Sequence, residues 1–368
     1  MASMLEHMHE GSSVALDTEA DSLYHYYHKV CLIQLTFDDQ NYIIDPLAKM
    51  DMAPFLEDIK NKPLILHDAG YDLRMMRSTF GFVPESEVFD TMLAAQLLGH
   101  ERFGLGSLVE QFFGVVMPKG GQKSDWSRRP LTDRQLEYAS EDTFYLHKLA
   151  YIFAEELENL GRTEWHDQWC ARIVEAAENF KQPVNTDDAW RIKGARYLDK
   201  HELAQLQHIW NWREDQSKMQ DIPPFKVMGN AQLIKLAVWS SRNPQNPLSS
   251  GPKLPITCRG RRLEELKKAI AIAHSIPESK MPSHPKPKHH PKPPPETNEI
   301  FEKLKVECDK IATELKLATQ VIASRATLKT IAIRKPADLE EITRCGPMKW
   351  QAELLQPTIS KILSEIAL

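Results

Sequence analysis

No stretch of this 368-residue chain approaches the roughly 20 consecutive apolar residues that a membrane-spanning helix requires. The opening segment, Met1 to Ser13, lacks the apolar core of a signal peptide and carries Glu6, His7, His9 and Glu10 instead. Cysteine is sparse: Cys31, Cys170, Cys258, Cys308 and Cys345 are isolated, odd in number and without zinc-finger spacing. That pattern speaks against a disulfide framework and against a structural zinc site. Reduced thiols, a cytoplasmic location and no membrane association are the expectation. What is present, 42% hydrophobic and 26% charged residues, describes a globular protein long enough for two or three domains.

The net charge of −5 conceals an asymmetry. Residues 1–185 hold 16 Lys and Arg against 30 Asp and Glu, whereas residues 186–368 hold 30 against 21. An acidic front half joined to a basic back half fits cation-dependent chemistry separated from a polyanion-gripping function. Chance unevenness on two solvated surfaces is the plain alternative.

The front half is organised around Val14-Ala15-Leu16-Asp17-Thr18-Glu19, an apolar run ending in two acids one residue apart. On a strand, positions i and i+2 share a face, so Asp17 and Glu19 project together. Adjacent carboxylates repel and resist burial unless a hard divalent cation such as Mg²⁺ or Mn²⁺ lies between them. A strand end with two surface acids is the other reading. Strands are expected at residues 31–37 and 41–45, joined at Asp38-Asp39-Gln40, and at 63–67. Helices are expected at 52–60, from about Asp68, from Phe89-Asp90-Thr91 and over 105–113. Interleaved strands and helices indicate an α/β domain with a mixed sheet. Asp72 falls in the first helical turn beyond a central strand, where open α/β sheets gather their sites. Asp90 reads as a helix cap and Asp68 as a turn residue. Thr132 and Gln135 form a capping box, flanked by a Leu131–Leu136 staple, that starts a helix near Asp133. Tyr138 and Asp142 are then i and i+4 on one face, with Leu136, Ala139, Leu146 and Leu149 packing. Without the other motifs, Tyr138 reads as a partly buried aromatic whose hydroxyl finds Asp142.

A D-x-E strand, an Asp beyond a later strand and a Y-x-x-x-D helix occur in this order within about 130 residues. The set resembles the DEDDy class of 3′→5′ exonucleases, and within it ribonuclease D. Leu32-Ile33-Gln34-Leu35, Phe89-Asp90-Thr91 and Asp125-Trp126 with Arg129-Pro130-Leu131 extend the likeness. The resemblance implies a ribonuclease H-like exonuclease domain. It makes Asp17, Glu19, Asp72 and Asp142 the carboxylates of two divalent metal ions, Mg²⁺ or Mn²⁺, and Tyr138 the group that orients the attacking water. Thr18, His67 and Trp126 become candidate contacts to the terminal nucleotide, with core packing the competing role for His67 and Trp126. One departure is a short lead-in ahead of the first acidic motif, which bears on the packing of the domain's edge and not on the site.

In the back half, residues 203–214 show helical apolar spacing, 222–228 read as an extended connector, 231–240 as a helix, and Arg259-Gly260-Arg261-Arg262 opens another. Trp212-Arg213-Glu214 and Pro223-Pro224-Phe225-Lys226-Val227 make this region similar to an HRDC domain, a small all-α nucleic-acid-binding module. The segment 277–298, with Pro282, Pro285, Pro287, Pro291 and Pro293-Pro294-Pro295, reads as a semi-rigid spacer in which His284, His289 and His290 are solvated. Residues 301–368 look like a second, diverged HRDC-like unit, marked by Ser324 to Leu328 and Lys349 to Leu355. The expected division is 1–182, exonuclease; 199–276, HRDC; 277–298, linker; and 299–368, second HRDC-like unit. Two basic modules would grip RNA phosphates without sequence preference. The family suggests tRNA precursors as the substrate; the sequence leaves the oligomeric state open, with a monomer favoured. A DNA exonuclease and a non-catalytic nucleic-acid scaffold are the rivals.

Overall fold

The computed structural model describes residues 2–118, 120–181, 187–285 and 294–366. His289, His290, Pro287, Pro291 and Pro293 lie outside the described residues. The chain forms two compact units: one holds residues 1–19, 30–180 and 290–368, the other residues 20–29 and 181–289.

The first unit opens with helix α1 (Ala2–Glu10), whose Met8 is fully buried. Strand β1 (Val14–Ala20), the hairpin β2 (Val30–Phe37) and β3 (Gln40–Ile44), then β4 (Leu64–Leu66) and β5 (Val88–Asp90) build a mixed sheet of order β3-β2-β1-β4-β5. Asp38 and Asp39 turn the hairpin with both φ angles positive, 48° and 57°, the handedness that matches strand twist. β1, β4 and β5 run parallel, with Val14 opposite Leu64 and Leu64 opposite Val88, so their carboxyl ends share one edge of the sheet. β2 is buried at all eight positions, as a strand covered on both faces requires.

Helices α2 (Ala53–Lys60), α3 (Ala69–Phe80), α4 (Thr91–Leu97), α5 (Leu105–Phe113), α6 (Asp133–Glu141), α7 (Leu146–Asn159) and α8 (Thr163–Glu178) complete the α/β portion. Two sequence expectations change here. Residues 88–90 form a strand ahead of α4; three residues are too few to show a period of two. The helix that starts at Asp133 ends at Glu141, and a new one starts at Leu146; Leu136 is 40% exposed and supplies no core packing.

Helices α9 (Lys200–Gln220), α10 (Pro224–Val227), α11 (Asn230–Arg242) and α12 (Arg261–Ser275) make the second unit, around a core that includes Trp190, Leu206, Trp212, Leu236 and Leu266. The connector expected to be extended at 222–228 contains α10, a single turn that Pro224 can begin because the first helical N–H needs no partner.

The remaining helices, α13 (Thr297–Leu315), α14 (Thr319–Ile322), α15 (Arg325–Arg334), α16 (Leu339–Thr343) and α17 (Lys349–Ile366), belong to the first unit. Their apolar faces form one continuous core with α4, α5 and α7, joining Leu97, Leu108 and Phe153 to Ile300, Leu328 and Leu355. Trp350 stacks on Trp165 of α8, with ring centroids 4.4 Å apart and planes 9° from parallel. Buried Arg162 donates to the carbonyls of Leu97 at 2.5 Å and Leu315 at 2.8 Å. Gly99, at φ +85°, approaches so closely that a Cβ there would collide with the Lys316 carbonyl oxygen.

Candidate active site

Asp17 and Glu19 lie on the carboxyl-terminal half of β1, at the edge where the parallel strands end. A carboxylate oxygen from each, and one from Asp142, lie within 4.8 Å of one another. Among the described residues this group alone brings three potential metal ligands together. Asp142 reaches the cluster from the end of α6, which is pinned to the hairpin on both sides of it. Asn41 Nδ2 donates to the Ser140 carbonyl at 2.8 Å, and the hydroxyls of Thr36 and Thr143 are 2.6 Å apart.

Asp72 is buried one turn into α3 and accepts from the Thr18 hydroxyl at 2.5 Å. It raises the protonation tendency of Asp17 and Glu19 without joining the tight group of three. Thr18 is itself buried, and its hydroxyl is occupied with fixing this carboxylate. α3 is aimed by Asp90. That carboxylate accepts from the N–H groups of Met92 and Leu93, as a cap of α4, and from those of Asp68 and Ala69 at the start of α3. One acid thus caps two helices.

The electrostatics follow from crowding. Burial, then Asp72, Asp142 and Glu19, hold the Asp17 carboxyl well above the usual range. Burial followed by Asp142 and Asp72 pushes Glu19 up to about 9. Burial also lifts Asp72 and Asp142 to about 7 each, opposed by hydrogen bonds from Thr18 and Tyr138 respectively. Four crowded acids that resist ionisation are the chemistry a divalent cation relieves, and an all-oxygen donor set suits Mg²⁺ or Mn²⁺. Asp17, Glu19 and Asp142 would hold such an ion, with Asp72 beside them.

Tyr138 donates its hydroxyl to Asp142. Burial and the three neighbouring acids drive the phenol far above its ordinary range, so it stays protonated. Its ring lies against the backbone of Gly121, where a Cβ would overlap ring carbons. Nothing in the sequence pattern pointed to Gly121; its partner is 17 residues away and on another element. Arg129 was also missed as a structural lock. It pairs with Asp45 through two 2.6 Å bonds and donates to the carbonyls of Cys31 and Trp126, fixing the loop that leads into α6.

Of the expected nucleotide contacts, Trp126 is fully buried with Cys31, Leu32 and Ala139, which is the core-packing alternative. His67 Nδ1 lies 2.9 Å from the Thr91 hydroxyl, which donates its own proton to the Leu66 carbonyl. His67 therefore carries its proton on Nδ1, and burial pulls its pKa down to about 4, leaving it neutral.

The family model of the 3′-5′ exonuclease domain matches residues 1–158, and that of the HRDC domain matches residues 202–247 and 297–363. The chain is 31% identical to ribonuclease D of Zymomonas mobilis over 247 residues, 66% of this chain and 62% of that protein. It is 32% identical to ribonuclease D of Cronobacter turicensis over 243 residues, 64% of each chain. These matches span just over six tenths of the relatives' length. Escherichia coli RNase D, described as an exoribonuclease involved in structured RNA processing, superposes with a TM-score of 0.70 at 25% identity, covering 99% of this chain and 96% of that one. A protein from Bifidobacterium adolescentis shares the fold at a TM-score of 0.83 and 22% identity, covering 98% and 94%.

Proposed function

We propose, for a chain that belongs to the ribonuclease D family, a divalent-metal-dependent 3′→5′ exoribonuclease activity that releases nucleoside 5′-monophosphates. The observation that carries the reading is the gathering of Asp17, Glu19 and Asp142, with Asp72 alongside, at the carboxyl edge of the parallel strands. Bound divalent cations, two in this reading, supply the water activation and leaving-oxygen stabilisation of phosphodiester hydrolysis. The chain's own groups do the rest. The carboxylates of β1 and α6 fix where positive charge sits. Thr18 holds Asp72 in one orientation. Tyr138, kept protonated, donates a hydrogen bond and orients the attacking water; it does not remove a proton. Water adds at the phosphorus, the bond to the penultimate 3′-oxygen breaks, and the shortened strand keeps a 3′-hydroxyl. The 3′ ends of tRNA precursors are the substrate class to test first.

The test is digestion of a 5′-labelled single-stranded RNA, beside a matched DNA, with Mg²⁺ or Mn²⁺, comparing wild type with Asp142→Asn. A ladder shortening from the 3′ end, present with RNA and lost in the variant and in EDTA, is expected. No shortening in either metal, with RNA binding intact, would overturn the reading.

A further inference from the structure

Between Glu19 and Val30 the chain runs as a ten-residue strap, residues 20–29, that belongs to the second compact unit and not to the nuclease. Its sequence is unlike that of an ordinary connector. Tyr24-His25-Tyr26-Tyr27-His28 sets five rings in succession, followed by Lys29, where turn chemistry calls for small polar residues.

The strap is tied at two places. At its neck, fully buried Asp21 accepts from the backbone N–H of Lys29 at 2.9 Å and from its Nζ at 2.6 Å. At its tip, Asp221 ends α9 in the left-handed conformation. Its carboxylate accepts from the N–H groups of Tyr26 and Tyr27, both at 3.0 Å, and meets His25 Nδ1 at 2.8 Å. Two of the three tyrosines are turned into protein partners: Tyr26 donates to Glu214 at 3.3 Å, and Lys226 Nζ lies 4.0 Å from the Tyr24 ring centroid. Tyr27 is different. Its backbone is pinned, yet its side chain stays 58% exposed, edge-on to Tyr26 at 5.1 Å and 77°. An aromatic ring fixed at its backbone and open on a face binds a flat partner with little further ordering.

The net charge of the unit bears on the partner. Residues 181–289, the rest of this unit, hold nineteen Lys and Arg against ten Asp and Glu, which favours a polyanion over an apolar protein surface.

We propose that Tyr27 stacks on a base of single-stranded RNA. The contact is sequence-tolerant, because every base offers a π-face. This rests on the RNA-degrading reading above, and the two fail separately.

The experiment uses full-length protein in EDTA, which prevents turnover, and follows the fluorescence anisotropy of a labelled oligo(A) RNA of about 12 nucleotides. Tyr27→Ala is expected to bind about 5- to 150-fold more weakly, and Tyr27→Phe and Tyr27→Trp close to wild type. Melting temperatures should stay level, since the removed ring is exposed. Equal RNA affinity of Tyr27→Ala and wild type overturns the proposal and leaves the ring to a protein partner. A wild type that binds RNA but shortens it in neither metal sinks the functional reading instead, and the affinity comparison then judges the strap alone.

Discussion

Two stretches that match one domain family are used in opposite ways in this chain. The segment around α9 to α12 has a core of its own and carries the positive charge: residues 181–289 hold nineteen Lys and Arg against ten Asp and Glu. The segment from α13 to α17 shares its core with α4, α5 and α7, and residues 290–368 hold twelve against eleven. A surface charge is free to drift because it touches solvent, whereas an apolar face must find a partner. Family likeness thus describes how each segment folds. Where its apolar face goes and what charge it carries decide what it does.

The comparison breaks most sharply on deletion. Removing residues 286–368 strips the cover from Leu97, Leu108 and Phe153, so the shortened chain should be insoluble or lose cooperative melting. A soluble truncated chain with wild-type melting temperature and turnover would show that the shared core is dispensable. Next in size is Trp350→Ala. Loss of a buried indole stacked on Trp165 should cost about 3–5 kcal/mol of unfolding free energy by denaturant titration, with turnover per folded molecule retained.

Charge reversal sharpens the other half of the contrast. Arg259, Arg261 and Arg262 changed together to Glu should make the slope of log affinity against log salt shallower by up to about 2 for single-stranded RNA. The same treatment of exposed Lys310, Lys329 and Lys361 should leave the slope near wild type; equal slopes for the two sets would erase the distinction.

The smallest expected effect is acid sensitivity within the first unit. His67 has its folded pKa depressed to about 4, below an unfolded value near 6.5. The unfolded chain then binds more protons, so the stability His67 contributes is complete above pH 6.5 and is lost as pH falls toward 4. At pH 5 that loss is about 2 kcal/mol. The stability gap between wild type and His67→Asn should therefore narrow between pH 7.5 and pH 5; a constant gap would contradict the neutral assignment.

What could be read from the sequence was whatever a single element sets by its own period. Asp17 and Glu19 share a face because strands alternate, and Tyr138 and Asp142 meet because helices return every fourth residue. The mixed sheet followed by helical segments was legible for the same reason. What could not be read depends on partners far along the chain. Thr18 is committed to Asp72, 54 residues away, and Arg129 to Asp45, 84 away. Asp90 was legible as a cap of its own helix, but not as a cap of α3. Trp126 gives no sign in sequence of whether its ring faces a ligand or Cys31 and Leu32. Dividing the charge at residue 185 also hid how it falls within the back half, so two basic modules were expected where one segment is basic and the other nearly neutral.

The measurement that bears most directly on the central claim is the identity of the product. RNA labelled in its terminal nucleotides is digested with Mg²⁺ by wild type and by Asp17→Asn, and the released material is separated by chromatography. Nucleoside 5′-monophosphates from the 3′ end, formed by wild type, absent with the variant and absent in EDTA, are the expected result. Nucleoside 3′-phosphates, internal fragments, or 5′-monophosphates released equally by Asp17→Asn would contradict a site built on these carboxylates.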